Sequence, residues 1–275
     1  MLKFQELMRT HTGNEKATSE EFLIVRLIPN IFTTVGMCIG LTGIRFAIEL
    51  DWESAVVCVL VAAFFDLVDG LTARMLKATS KMGAELDSLS DAVSFGVTPT
   101  IILYLWILSL SNISDSYLQG WYWVPFIFYT SCCVLRLARF NIASRETDKE
   151  DPMRPISYFV GVPSPAGAII LLSPIILSVN LKRFGMGEPE CMNPLYISLW
   201  VMVVSFLMVS RIPTISLKSI RYRISNRKVI FVLIAVILGA AIIVREQWLS
   251  LALAIILYLI SIPIFSIYLK KISSK

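Results

Sequence analysis

Residues 64–96 read FFDLVDGLTARMLKATSKMGAELDSLSDAVSFG, and they place Asp66, Asp69, Asp87 and Asp91 in or beside runs otherwise suited to lipid. An ionisable side chain inside a membrane segment costs free energy and marks a functional site by default. The spacing is helical. At about 100° per residue, Asp66, Asp69, Gly70 and Ala73 share one face of a helix. Gly83, Asp87, Ser90, Asp91 and Ser94 share one face of the next. Both faces lie toward the ends flanking the 74–83 connection, so the two helices, as antiparallel neighbours, meet around one acidic cavity.

The rest of the chain has the composition of a membrane protein. Of 275 residues, 56% are hydrophobic and 16% charged, with mean hydropathy +0.72. Soluble domains carry about 25% charged residues. The expected fold is an all-α polytopic membrane helix bundle of about eight transmembrane helices. They fall near 27–48, 54–76, 84–110, 121–143, 162–180, 194–210, 229–244 and 248–269. Pro165, Pro174 and Pro194 predict a kink or late start in the fifth and sixth. Residues 1–20 are polar and lack the pattern of a secretory leader.

Of the 25 Lys and Arg, only Arg45, Lys182, Arg183 and Arg245 fall on one set of connections, and the others crowd onto the opposite side. Positive residues are retained in the cytoplasm, so both termini and the acidic cavity are expected there. The net charge of +5 follows from that topology and calls for no nucleic acid. Cys38, Cys58, Cys132 and Cys133 lie in apolar runs and Cys191 in a loop, the pattern of small buried hydrophobes and not of a disulfide framework. His11 is the sole histidine and sits in the polar head, so acid–base chemistry in the membrane must use another group.

Four carboxylates in a low-dielectric pocket cannot all stay ionised without counter-charge, and Arg74 supplies only one positive charge. Two divalent cations bound through oxygen would supply the rest. A set of carboxylates without His or thiolate favours Mg²⁺ or Mn²⁺, with Ca²⁺ also open, over zinc. Paired cations of this kind serve phosphoryl chemistry. Gly70, Ala73 and Gly83 remove side chains where a ligand or a neighbouring helix comes close.

Written as spacing, Asp66 to Asp91 is D-x2-D-G-x2-A-R-x8-G-x3-D-x3-D, which resembles the signature of the CDP-alcohol phosphotransferases at every fixed position. That resemblance implies attack of an alcohol on a CDP-linked donor, with release of CMP. It implies that Asp66, Asp69 and Asp87 hold two metals, and that Asp91 completes the site and acts as general base. It also implies that Gly70, Ala73, Arg74 and Gly83 line the site for the CDP moiety. The stretch IPNIFTTVGMCIGL (28–41) is similar to the family's first-helix motif, with Asn30 and Thr33 as donor contacts. The family core is six helices, usually a homodimer. The division expected is a cytoplasmic segment 1–26, a core 27–218, and a basic loop with a C-terminal hairpin over 219–275.

LRLARFN (135–141), YFVGVPSPAGA (158–168) and LMVSRIPTISLK (207–218) resemble the bacterial, membrane-integral, serine-using branch of that family. The donor implied is CDP-diacylglycerol, the acceptor L-serine, and the location a bacterial inner membrane. Serine carries a carboxylate, so a guanidinium near the cavity is expected. Arg136, Arg139, Asn141 and Arg211 are the candidates, with Arg139 and Asn141 first. Positive-inside topology would equally explain the arginines, and a helix-start bend would explain Pro163, Ser164 and Pro165. Choline, glycerol 3-phosphate or an inositol phosphate are alternative acceptors. A divalent-cation transporter is the alternative of another class. It would need polar residues continuing across the membrane, whereas SAVVCVLVAAFF (54–65) and PTIILYLWILSL (99–110) are essentially apolar.

Overall fold

The computed structural model describes residues 27–76, 80–110, 116–147, 159–186, 193–210, 212–214 and 245–273. The chain is an all-α polytopic membrane bundle. Helix α1 (Leu27–Ile48) is followed by α2 (Trp52–Met75). Helix α3 (Lys81–Asp91) continues through a π-helical turn, Ala92–Val97, into α4 (Thr98–Leu110). Then come α5 (Ser116–Thr147), α6 (Ser164–Leu171), α7 (Ser173–Arg183), α8 (Pro194–Val209) and α9 (Gln247–Ser273).

Among the described residues five helices are long and apolar enough to cross a membrane, and six spans result if the bent pair α6–α7 counts as one. Helix α8 is apolar but only 16 residues long. The expected run at 229–244 lies outside the described residues. Large apolar side chains such as Phe64, Leu67, Leu199 and Leu257 point outward, as a lipid-facing surface requires. Phe95, Ile102, Trp106, Phe126 and Tyr129 fill the centre.

Local chemistry explains the boundaries. Asp51 caps α2 by accepting from the Ser54 amide at 3.1 Å, and the hydroxyl and backbone of Ser54 hold its carboxyl below the usual carboxylate range. Ser80 caps α3 in the same way through the Gly83 amide at 2.9 Å. Helix α1 packs closely because it lacks side chains at the contact. A Cβ on Gly36 would lie 2.9 Å from Phe65 Cβ, and one on Gly43 3.0 Å from Ala55 O.

Helices α6 and α7 meet at a 45° bend. Pro174 has no N–H to give to Ile170 O, one turn back, and Trp200 Nε1 donates to that carbonyl instead at 3.1 Å. Asn180 Nδ2 donates to Trp248 O at 3.0 Å, which ties the end of α7 to the start of α9.

A two-residue antiparallel pair, β1 (Phe159–Val160) with β2 (Pro213–Thr214), locks the approach to α6 against the end of α8. Gly161 makes this possible. Its φ is +78°, its N–H donates to Ile212 O at 2.9 Å, and an added Cβ would lie 2.6 Å from Met208 O. Gly161→Ala therefore combines left-handed strain with a backbone clash and should cost about 2 kcal/mol or more. Thermal unfolding in detergent reads this directly: a clear fall in Tm is expected.

Candidate functional site

The last turns of α2 and the body of α3 bring the acids together. One carboxylate oxygen from each of Asp66, Asp69 and Asp87 lies within 4.8 Å of the others. Asp91 completes the group, with its side chain in hydrogen-bonding reach of Asp66. Asp69 is buried, while Asp66, Asp87 and Asp91 are half-buried. The set offers only hard oxygen donors, converging closely enough to share a divalent cation, and it fits Mg²⁺, Mn²⁺ or Ca²⁺.

Helix α1 supplies the orientation. Thr33 Oγ1 donates to Asp69 Oδ2 at 2.6 Å, and Ser90 Oγ donates to Thr33 O at 3.3 Å. Thr33 thus reaches the acidic group itself and fixes one carboxylate of a prospective metal site. Asn30 covers Gly83: an added Cβ there would lie 2.9 Å from Asn30 Oδ1. A Cβ on Gly70 would meet nothing within 4 Å, so space stands open beside the acids. Ala73 is half-buried on the same helix. Arg74 turns back one turn, its Nε donating to Gly70 O at 2.8 Å.

The π turn begins one residue after Asp91. The Thr98 N–H donates to Val93 O, five residues back, so the α-helical ladder is interrupted there. Helix α5 satisfies the carbonyls of that segment: Tyr129 OH donates to Phe95 O at 3.1 Å, and Thr130 Oγ1 to Gly96 O at 3.2 Å. Beyond it the buried wall is Phe95, Ile102, Leu103 and Trp106. Among the described residues the acids therefore face one end of the bundle, with apolar packing behind them and not a chain of further acids.

On the α5 side a cavity of about 180 Å³ opens beside the acids, lined by Asp87, Ser88, Asp91, Phe140 and Asn141 among others. Asn141 Nδ2 donates to Ser88 Oγ at 2.8 Å across it. The arginines separate. Arg139 is exposed, and its Nη1 donates to Val209 O at 2.9 Å, where it clasps the end of α8. Arg136 is half-buried and within electrostatic range of Asp91. Its Nη1 donates to Ser164 Oγ at 2.6 Å, while its buried Nε has no partner among the described residues. Arg211 lies outside the described residues. Ser164 and Ser88, which hold Arg136 and Asn141, are not separable from ordinary helix-start or helix-face serines in the sequence.

The family model described as CDP-alcohol phosphatidyltransferase matches residues 26–210, and that of CDP-alcohol phosphatidyltransferase 2 matches residues 227–263. The CDP-diacylglycerol–serine O-phosphatidyltransferase of Mycobacterium leprae is 36% identical over 239 residues, which is 87% of this chain and 74% of the relative. The protein of the same name in Helicobacter pylori is 30% identical over 235 residues, 85% of this chain and 88% of the relative. That of Bacillus subtilis is 31% identical over 191 residues, 67% and 88% respectively.

Proposed function

Because the chain belongs to the CDP-alcohol phosphatidyltransferase family, we propose that it is a phosphatidylserine synthase, moving the phosphatidyl group of CDP-diacylglycerol to L-serine. The observation that carries this reading is the convergence of Asp66, Asp69 and Asp87 within 4.8 Å, with Asp91 beside them. Bound divalent cations, Mg²⁺ or Mn²⁺ with Ca²⁺ as the alternative, would screen the diphosphate and stabilise the charge that develops on leaving CMP.

Asp66, Asp69 and Asp87, with Asp91 completing the set, would hold those cations, and Thr33 fixes Asp69. The open side of Gly70, with Ala73, Gly83 covered by Asn30, and Arg74, receives the CDP moiety. Asp91 accepts the proton of the serine hydroxyl as its oxygen bonds to the phosphorus that carries diacylglycerol. The bond from that phosphorus to the CMP oxygen then breaks, and CMP departs. Among the described residues there is no histidine for this proton transfer, and a carboxylate is the base at hand. The same reading extends to a homodimer in a bacterial inner membrane, with both termini and the site cytoplasmic. It takes 27–218 as the catalytic core and a C-terminal hairpin as the last of eight spans.

Serine enters through the cavity at Asp87, Asp91 and Asn141. Arg136, held by Ser164 and within electrostatic range of Asp91, is the anchor for its carboxylate, while Arg139 braces α8. Arg136→Gln removes a charge-assisted hydrogen bond worth about 1.5–3 kcal/mol. The expected result is a fall of roughly 10–100-fold in kcat/KM for serine, carried by KM, with the KM for CDP-diacylglycerol unchanged.

The reading as a whole is tested with purified protein in mixed micelles containing CDP-diacylglycerol and Mg²⁺ or Mn²⁺. Serine, choline, glycerol 3-phosphate and an inositol phosphate are supplied in turn while CMP is followed. Serine-dependent CMP release is expected; release with another alcohol and none with serine would reassign the acceptor.

A further inference from the structure

Between α1, α2 and the helix that follows them lies a small void of about 10 Å³ beside the acids. Thr33 and Gly36 of α1, Asp66 and Asp69 of α2, and Ser90 and Ser94 of the next helix are among its walls. Most hydroxyls on these helices are satisfied by the carbonyl one turn back, as Thr72 is by Val68 O and Ser88 by Ala84 O. Ser94 is not. It is 2% exposed, and its Oγ has no partner among the described residues. A buried hydroxyl left unsatisfied costs about 1–3 kcal/mol, so a partner is to be expected. Helix α1 keeps the space free: Gly36 presents no side chain to it, and a Cβ on Gly40 would lie 3.2 Å from Ser94 Oγ.

We propose that this void holds one ordered water, donating to the Asp66 and Asp69 carboxylates and accepting from Ser94 Oγ. The size is that of a single water, which needs a probe volume of about 10–15 Å³ and two to four polar partners. Two carboxylates accept, and the otherwise idle Ser94 hydroxyl donates. The water then holds the rear oxygens of Asp66 and Asp69 as Thr33 holds Asp69 directly, so that their front oxygens stay aimed at the cation site. Outer partners of this kind change metal affinity about 10–100-fold. The bound water stands on the void and on Ser94; its effect on cation binding rests on the metal site proposed above.

Two measurements decide the matter. A high-resolution structure of the full chain should show a single density in the void, about 2.7–2.8 Å from Ser94 Oγ. An empty void would overturn the proposal. So would a density with ligand distances of about 2.0–2.6 Å, the mark of a cation. Mn²⁺ titration followed by electron paramagnetic resonance, without substrate, should show Ser94→Ala weakening binding about tenfold, with unchanged Tm of the metal-free protein. Unaltered Mn²⁺ affinity in that variant would remove the water's role. Failure of the unmodified protein to bind Mn²⁺ at all would instead overturn the metal site, and the density alone would then judge the water.

Discussion

Asp91→Asn should abolish serine-dependent CMP release, a loss of about 10³-fold or more, while the protein inserts into membranes and unfolds at the same temperature or higher. The amide has nearly the shape of the carboxylate but cannot take up the proton of an attacking hydroxyl. General-base catalysis alone contributes about 10²–10⁴-fold, and Asp91 also closes the cation site. Stability moves the other way for an electrostatic reason. Asp91 lies in reach of Asp66 and near Asp87 in a poorly hydrated setting, so removing one of several like charges relieves the metal-free protein. Activity loss accompanied by loss of folding would mean that Asp91 is a structural residue. Retained activity would remove it from the chemistry.

Chelation of divalent cations should be as severe, taking CMP release to background, with full recovery on adding Mg²⁺ or Mn²⁺. It should also change stability. A ligand that binds only the folded state at about 100 times its Kd stabilises by about 2.7 kcal/mol. Saturating Mn²⁺ should therefore raise Tm in the unmodified protein. Asp69→Asn and Asp87→Asn should lose that rise, because each removes one of the three converging oxygens. Activity that survives exhaustive chelation would be incompatible with the aspartates acting as cation ligands.

The acidic cavity was legible in residues 64–96 because helical phase is a local property, while the reaction class came from the resemblance of that spacing to the family signature. Two carboxylates three residues apart on α2, and two four apart on α3, must share faces wherever the helices go. What helical phase could not show was the partner of each side chain. Thr33 was readable only as part of a motif resembling a donor contact; its bond to Asp69, 36 residues on in sequence, depends on α1 crossing α2 at Gly36. The π turn after Asp91 was invisible, since it depends on Tyr129 and Thr130 of α5 supplying hydrogen bonds to Phe95 and Gly96.

Arg136 and Arg139 lie three residues apart on α5, and the sequence put Arg139 with Asn141 first. Their difference comes from what lies opposite, Ser164 for one and the end of α8 for the other. Pro174 announced a kink, but the 45° bend and its compensation by Trp200 needed the packed bundle. Helix α9, which carried no usable motif, packs against α7 with Ile255 and Ile262 buried.

The most direct test follows the oxygen. The purified protein is given CDP-diacylglycerol, Mn²⁺ and L-serine labelled with ¹⁸O in the hydroxyl, and both products are weighed by mass spectrometry. If the serine hydroxyl attacks the phosphorus next to diacylglycerol, phosphatidylserine carries the label in its phosphodiester bridge, CMP carries none, and the two appear in equal amounts. CMP released without serine, with phosphatidic acid as the lipid product, would contradict transfer to serine.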